Sequence, residues 1–157
     1  MHTESREHPL GHAGQSILLG LFLFVWAVDS FFLQISTILA GHLPLPGRLA
    51  VAVVIVVLAV PLARSGHAVA GHHRKTDHVV QTGAFRIVRH PLYLASLLGC
   101  LAFTVSTASL FALGVLIGMF LFYDHIAAYE ERLLEADFGD AYRDYKRRTG
   151  KWVPRLN

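Results

Sequence analysis

Charged residues are scarce in this chain of 157 residues. Asp, Glu, Lys and Arg together make up 16% of it, whereas hydrophobic residues make up 54%. An average soluble domain carries roughly 25% charged residues. So few charges cannot cover a water-facing surface of this size, which excludes an ordinary soluble protein, and the apolar content excludes a disordered chain. The composition therefore predicts an integral membrane protein.

Cysteine is scarce, and neither sign of charge is in strong excess. Cys100 is the only cysteine, which excludes an intrachain disulfide and gives no metal-site spacing. The net charge is only +3, and the basic residues lie beside apolar runs. We therefore predict no nucleic-acid partner and expect contacts with membrane lipids.

Long apolar runs are what the sequence does contain. Residues 17–39 include Asp29 as their only charge and would form a helix of about 34 Å, enough to cross a bilayer of roughly 30 Å. Their length and the absence of a preceding basic segment argue against a cleavable signal peptide. A Gly- and Pro-rich turn over residues 41–47 is predicted to end this helix. A second apolar helix is predicted from Leu49 toward Ala70, with a kink at Pro61.

A third apolar stretch predicts two further helices. Residues 92–123 hold no charge, and a single helix of that length, about 48 Å, would exceed the membrane thickness. Small polar residues over 104–109 predict a tight turn in the middle. The tail, residues 124–157, is predicted to be helical in its first half and interrupted near Gly139. The predicted fold is all-α, with about four transmembrane helices, the last two a tight hairpin, and a cytoplasmic C-terminal helix.

Lys and Arg are concentrated in two segments. Five lie in residues 64–91 and seven in residues 124–157. Four spans place both segments on one side of the membrane, which is the pattern of a cytoplasmic face. We therefore predict a location in the prokaryotic inner (cytoplasmic) membrane with the active site facing the cytoplasm. The predicted parts are a polar N-terminal segment (1–16), two membrane helices (17–70) and a functional core (71–157).

Two polar clusters flank the predicted hairpin. Arg89 and His90 precede Pro91, which suits the first position of a helix, and such a helix N-terminus would hold an anion. Glu130 and Glu131 lie on the helix that leaves the membrane and would hold a cation. Because an antiparallel hairpin brings its open ends together, the two clusters predict a site for a zwitterionic ligand.

Each of these features also has a simpler interpretation. Arg89 and the basic tail are typical of contacts with anionic lipid headgroups. Glu130 and Glu131 are typical of a solvated helix face. Phe85 and Tyr93 are typical of aromatic residues at a membrane interface.

In combination the motifs are more specific. The pattern TGxFRxVRHPxY over residues 82–93 is followed by a hydrophobic hairpin, then EExxLxxxFGxxYxxYKxR from Glu130 and WVPR over 152–155. This order closely resembles the isoprenylcysteine carboxyl methyltransferase family, which belongs to a membrane group that includes phospholipid N-methyltransferases. The resemblance covers residues 79–154, about half of the chain. It implies an S-adenosylmethionine-dependent membrane methyltransferase with its methyltransferase core in residues 71–157, acting on a lipophilic acceptor.

The resemblance also implies where the cofactor binds. Its contacts would lie before the TG turn, at the start of the third helix and on the fourth helix, and no metal site is predicted. The His90 side chain and the helix N-terminus suit the cofactor carboxylate, Glu130 its ammonium group or a ribose hydroxyl, and the Tyr93 ring its sulfonium. The full set of predicted cofactor-binding residues is Asp77, His78, Val79, Val80, Phe85, Arg89, His90, Pro91, Leu92, Tyr93, Glu130 and Glu131.

The methyl acceptor is the least constrained part of this prediction. Methyl transfer by in-line displacement demands alignment and exclusion of water, so a separate catalytic residue is not required. Asp124, His125 and Asp29 are candidates for removing an acceptor proton, and Asp29 is equally compatible with a structural hydrogen bond. Family members that methylate prenylcysteine place an Arg where Ile126 stands here. The absence of that Arg favours a lipid amine, thiol or hydroxyl as the acceptor, unless Arg86, Arg89 or an Arg of the tail replaces it. Because the family as a whole favours carboxyl methylation, the resemblance implies carboxyl methylation, with the other acceptors as the alternative.

The ten histidines support a competing hypothesis, in which the protein is not an enzyme. A histidine-rich membrane protein that binds haem or a metal without catalysis would use imidazole ligands. A structural or partner-binding subunit is a third interpretation. The histidines predicted on the cytoplasmic side are His67, His72, His73, His78, His90 and His125.

Overall fold

The computed structural model of the chain describes residues 11–73 and 78–155. Short turns of π or 3-10 helix connect the main elements, and over these residues the backbone forms no β-sheet beyond one isolated bridge between Val88 and Gly150. This confirms the predicted all-α fold. The helices are α1 (Gly11–Ala27), α2 (Leu45–His73), α3 (Pro91–Thr107), α4 (Leu110–Phe138) and α5 (Asp140–Arg148).

Three helical segments are long and apolar enough to cross a membrane, namely Ala13–Leu33, Leu45–Ala68 and Leu110–Phe138. The fourth apolar helix, α3, is shorter, at about 26 Å. Many large apolar side chains on the three long helices are exposed, as lipid-facing residues are. The chain is therefore an integral membrane protein, as the composition predicts.

The first helix ends earlier than the sequence pattern predicts. After α1 the chain forms one π-helical turn, Val28–Leu33, and Gln34 adopts a left-handed conformation with φ of 52°. The predicted end at residue 39 is wrong because the Asp29 carboxylate accepts hydrogen bonds from the backbone N and the Oγ of Ser36, at 3.0 and 2.5 Å. A polar side chain that binds the backbone in this way competes with continuation of the helix.

The second helix positions the loop that leads to α3. It starts at Leu45, four residues before the predicted start, and continues through Pro61 to His73. Ser65 Oγ accepts a hydrogen bond from the backbone N of Ala84 at 2.7 Å. A Cβ atom on Gly66 would lie 2.7 Å from Leu92 Cδ2, so a glycine here allows α2 to approach the start of α3.

The tight turn between α3 and α4 lies where the small polar residues predict it. Ala108 adopts a left-handed conformation with φ of 56°, and Ser109 caps α4 by accepting a hydrogen bond from the backbone N of Ala112 at 3.1 Å. Ser109 Oγ also donates to Asp29 Oδ2 at 2.6 Å. The Asp29 carboxylate therefore ties the end of the first span to the turn of the hairpin.

The tail folds back against the loop before α3. The predicted interruption near Gly139 is confirmed, because α4 ends at Phe138 and Gly139 has a positive φ of 53°. The following helix, α5, buries Tyr142 and Tyr145, and this burial raises the pKa of both phenols well above their ordinary value. Tyr145 therefore remains neutral and its hydroxyl donates to the carbonyl of Phe85 at 2.6 Å.

Candidate active site

The open end of the hairpin brings the two polar clusters into contact. Pro91 occupies the first turn of α3, His90 precedes it, and α4 runs antiparallel beside them. His90 Nε2 lies 3.1 Å from Glu131 Oε1, and Tyr93 Oη donates to Glu130 Oε1 at 2.7 Å. His90 Nδ1 also lies 3.9 Å from Glu130 Oε2. One end of α3 thus faces two adjacent carboxylates on α4.

The two carboxylates have different surroundings. Glu131 lies in a buried ion-pair network, with Arg89 Nε at 2.8 Å from its Oε1 and Lys146 Nζ at 3.6 Å from its Oε2. The Arg89 side chain is only 9% exposed and also donates to the backbone carbonyls of Lys146 and Thr149. Arg89 therefore contacts protein rather than lipid headgroups. Because Arg89 and His90 from the segment before α3 and Lys146 from α5 meet at Glu131, this carboxylate joins three parts of the site.

Glu130 belongs to the part of the site that aromatic rings surround. The rings of His90 and Tyr93 are parallel, with centroids 5.6 Å apart, and the indole of Trp152 lies 5.8 Å from His90. His90 precedes α3 without capping its backbone N–H groups through the side chain. The first N–H groups of a helix attract anions when no side chain caps them. A carboxylate, a helix N-terminus and aromatic faces are thus gathered within one end of the bundle.

The remaining predicted cofactor residues lie on the segment that approaches α3. Val80 and Pro91 are buried, and His78 is exposed. Asp77 lies outside the described residues. Three further members of the predicted set are half-buried, namely Val79, Phe85 and Leu92.

The three candidate bases occupy different places. Asp124 Oδ1 accepts hydrogen bonds from Lys151 Nζ at 2.5 Å and from Trp152 Nε1 at 2.8 Å, whereas His125 is exposed. Asp29 lies at the opposite end of the hairpin, beside its turn. The part of α4 from that turn to Glu130 is about 30 Å long. The structure therefore does not bring Asp29 to the site, and hydrogen bonds to Ser36 and Ser109 account for its burial.

Sequence reasoning misses two parts of this site. It assigns no role to Lys146, which lies beside Glu131, or to Trp152, which covers His90. Both residues lie in the two motifs of the tail, so the sequence pattern marks them. Only the folded tail shows that Lys146 contacts Glu131 and that Trp152 contacts His90.

Histidines are not assembled into a metal centre in the part of the chain that the structure describes. Over these residues no group of three or more His, Cys, Asp or Glu side chains is placed to hold a metal ion. The haem or metal hypothesis therefore gains no support from the described geometry.

Comparisons with known proteins give a family match and several relatives. The profile of the phospholipid methyltransferase family matches residues 47–141. The cobalt-zinc-cadmium resistance protein CzcN of Cupriavidus metallidurans is 33% identical over 99% of this chain and 76% of its own length. Methanethiol S-methyltransferase 2 of Bradyrhizobium diazoefficiens is 42% identical over 46% of this chain. The nickel-cobalt-cadmium resistance protein NccN of Alcaligenes xylosoxydans xylosoxydans is 34% identical over 54% of it.

The coverage of these relatives is unequal. The chain spans only 27% of the length of the Bradyrhizobium protein and 39% of the length of the Alcaligenes protein. No solved structure matches the chain.

Proposed function

The chain belongs to the phospholipid methyltransferase family of membrane methyltransferases, and we propose that it transfers a methyl group from S-adenosylmethionine to a lipophilic acceptor. The proposed site is the open end of the α3–α4 hairpin. The observation that carries the proposal is the convergence of His90, Tyr93 and Glu130, with Tyr93 Oη donating to Glu130 at 2.7 Å.

The residues at this end fit the chemistry of the proposed cofactor. The start of α3 and the His90 ring suit a carboxylate, the Glu130 carboxylate suits an ammonium group, and the faces of Tyr93 and Trp152 suit a sulfonium. When bound, S-adenosylmethionine supplies an electrophilic methyl group. Glu131 orients the His90 ring through its Nε2 atom, and Tyr93 stacks on that ring.

The chain contributes mainly alignment and exclusion of water to this reaction. Trp152 covers His90 from the tail side, and fixed apolar walls keep water from a reacting centre. Asp124 already accepts two hydrogen bonds, which favours its ionised form and makes it a weak base. His125, being exposed, is the stronger candidate for taking an acceptor proton, and an acceptor that ionises in solution needs no base.

We further propose that the acceptor carries a thiol. Ile126 is buried at the position where the prenylcysteine enzymes have an Arg, and Arg89 is held by Glu131, so neither provides a pairing partner for an acceptor carboxylate. Two relatives are named methanethiol S-methyltransferases. Carboxyl methylation, and methylation of a lipid amine or hydroxyl, are the alternative outcomes of the test.

The proposed location is the prokaryotic inner membrane with the open end of the hairpin facing the cytoplasm. This follows from the Lys and Arg residues gathered at that end.

Relatives named for resistance to cobalt, zinc, nickel and cadmium favour metal handling as a second candidate function. Metal analysis and a visible absorption spectrum of the purified protein test it.

Calorimetric titration of S-adenosylmethionine into the protein in nanodiscs tests the methyltransferase proposal directly. Labelled methyl transfer is then compared among dodecanethiol, a prenylcysteine analogue and membrane lipid extract. We expect binding that His90→Ala weakens and that the exposed control His67→Ala leaves unchanged. A folded wild-type protein that neither binds S-adenosylmethionine nor transfers the label would overturn the proposal, and a base-labile ester on the prenylcysteine analogue would overturn the thiol assignment.

A further inference from the structure

The tail segment over residues 149–152 crosses the open end of the hairpin in a fixed conformation. Gly150 forms a parallel bridge with Val88, and its carbonyl accepts a hydrogen bond from the backbone N of Arg89 at 2.9 Å. A Cβ atom on Gly150 would lie 1.8 Å from the carbonyl oxygen of Val153, so the turn requires glycine. The backbone thereby sets the position of Trp152, two residues further along.

The indole of Trp152 is held at both its polar and its apolar parts. Its Nε1 donates to Asp124 Oδ1 at 2.8 Å, and Lys151 Nζ donates to the same oxygen at 2.5 Å. Its ring centroid lies 5.8 Å from that of His90 and 5.6 Å from that of Phe120. Phe120 lies in the apolar part of α4 and is 41% exposed. The indole therefore stands between the polar site and the lipid-facing surface.

We propose that Trp152 determines acceptor specificity by forming the wall between the site at His90 and the lipid-facing surface at Phe120. The proposal rests on the proposed function and assigns Asp124 the role of positioning residue, because its carboxylate fixes the indole. A large, rigid aromatic ring fixed by a hydrogen bond limits the space open to an apolar acceptor that approaches from the bilayer. Short acceptors fit beside it, whereas long or bulky ones are disfavoured.

Acceptor selectivity tests this role. We compare kcat/KM for ethanethiol and dodecanethiol in the full-length protein. Trp152→Ala should raise the dodecanethiol-to-ethanethiol ratio on the order of tenfold, as expected when binding of a large apolar group is permitted. Trp152→Phe should raise it less. Circular dichroism and thermal unfolding serve as the check that each variant is folded, and the ratio of the two kcat/KM values cancels any change in cofactor binding.

Two further variants separate this role from a merely structural one. Asp124→Leu removes the anchor of the indole and should shift the ratio in the same direction as Trp152→Ala. Val153→Ala changes the neighbouring, 71% exposed side chain and should leave the ratio as in the wild type. A ratio that is the same in Trp152→Ala and in Val153→Ala would overturn the proposal.

A fluorescence measurement separates this proposal from the methyltransferase proposal. The chain has two tryptophans, and Trp26 donates to the carbonyl of Phe103 at 3.1 Å near the other end of the hairpin. Trp26→Phe therefore leaves Trp152 as the sole fluorophore. We expect saturable quenching by the short ligand 2-bromoethanol, which ethanethiol reverses. Saturable quenching without methyl transfer would overturn the proposed reaction but not the proposal that Trp152 lies beside the acceptor. The absence of saturable quenching would overturn the proposed role of Trp152, whatever the activity.

Discussion

The Nε atom of Arg89 lies 2.8 Å from Oε1 of Glu131, and the two side chains are 9% and 8% exposed. The same carboxylate oxygen lies 3.1 Å from His90 Nε2. Glu130, the preceding residue, instead accepts a hydrogen bond from Tyr93. Adjacent residues of a helix project about 100° apart, so the two carboxylates have different partners. Glu131 joins the start of α3 to α4, and Glu130 is the carboxylate that we propose for the ligand.

Replacing Glu131 with Ala should destabilise the fold. The change leaves the Arg89 guanidinium buried without its carboxylate, and removing one partner of a buried ion pair costs about 3–5 kcal/mol. Thermal unfolding in detergent, followed by circular dichroism without added ligand, measures this loss. Glu135→Ala is the matched control on the same helix. Its ion pairs with Arg143 and Lys146 are partly exposed, so a much smaller loss is expected. Equal losses in the two variants would contradict this assignment.

Replacing Glu130 with Gln should weaken binding of S-adenosylmethionine with little change in stability. Loss of one partner of a buried charge-assisted contact costs about 2–5 kcal/mol, which is roughly 30-fold or more in affinity. Calorimetric titration measures the affinity. If Glu131→Gln lowers the affinity more than Glu130→Gln in folded protein, the roles of the two carboxylates are exchanged.

The sequence predicts the hairpin and its junctions because their signals are local. Small polar residues mark the turn at Ala108, proline marks the start of α3 and glycine marks the end of α4. The end of the first span is not predicted, because it depends on the Asp29 side chain binding Ser36, and apolar patterning contains no such information.

The candidate site is predictable only in part, for a similar reason. An antiparallel hairpin requires His90 and Glu130 to lie at the same end. The sequence does not show which carboxylate Arg89 binds, nor that Trp152 returns to contact Asp124, 28 residues away. Such contacts between distant segments depend on the fold of the tail.

Stability should fall at alkaline pH because of the buried phenols of α5. Burial raises the pKa of Tyr142 and Tyr145 in the folded state, whereas an unfolded tyrosine ionises near pH 10. The contribution of these two residues to the free energy of unfolding is therefore fully present below about pH 10. Above that pH it is lost at up to about 1.4 kcal/mol per pH unit for each tyrosine. Urea unfolding between pH 9 and 11 measures the slope. Tyr145→Phe should flatten it, and an unchanged slope would contradict the argument.

The orientation in the membrane is predicted by the distribution of Lys and Arg. Reporter fusions after Gly41, after Gly71 and at the C-terminus should read outside, inside and inside. The decisive span is α3, which is shorter than the three apolar segments long enough to cross a membrane. If α3 does not cross, the C-terminal fusion reads outside. That result would remove the four-span topology.

Asp29→Ala should lower stability without lowering affinity for S-adenosylmethionine. Its carboxylate accepts hydrogen bonds from Ser36 and Ser109, and the change leaves both hydroxyls without a charged acceptor. Hydrogen bonds to a charged group contribute about 1.5–3 kcal/mol each, so the loss should be several-fold larger than in Thr37→Ala, a half-buried neighbour whose hydroxyl donates to an uncharged backbone carbonyl. Thermal unfolding measures the loss, and calorimetric titration of the folded variant measures the affinity. A loss of affinity with stability intact would return Asp29 to the list of functional residues, because it would show that the two ends of the hairpin are coupled.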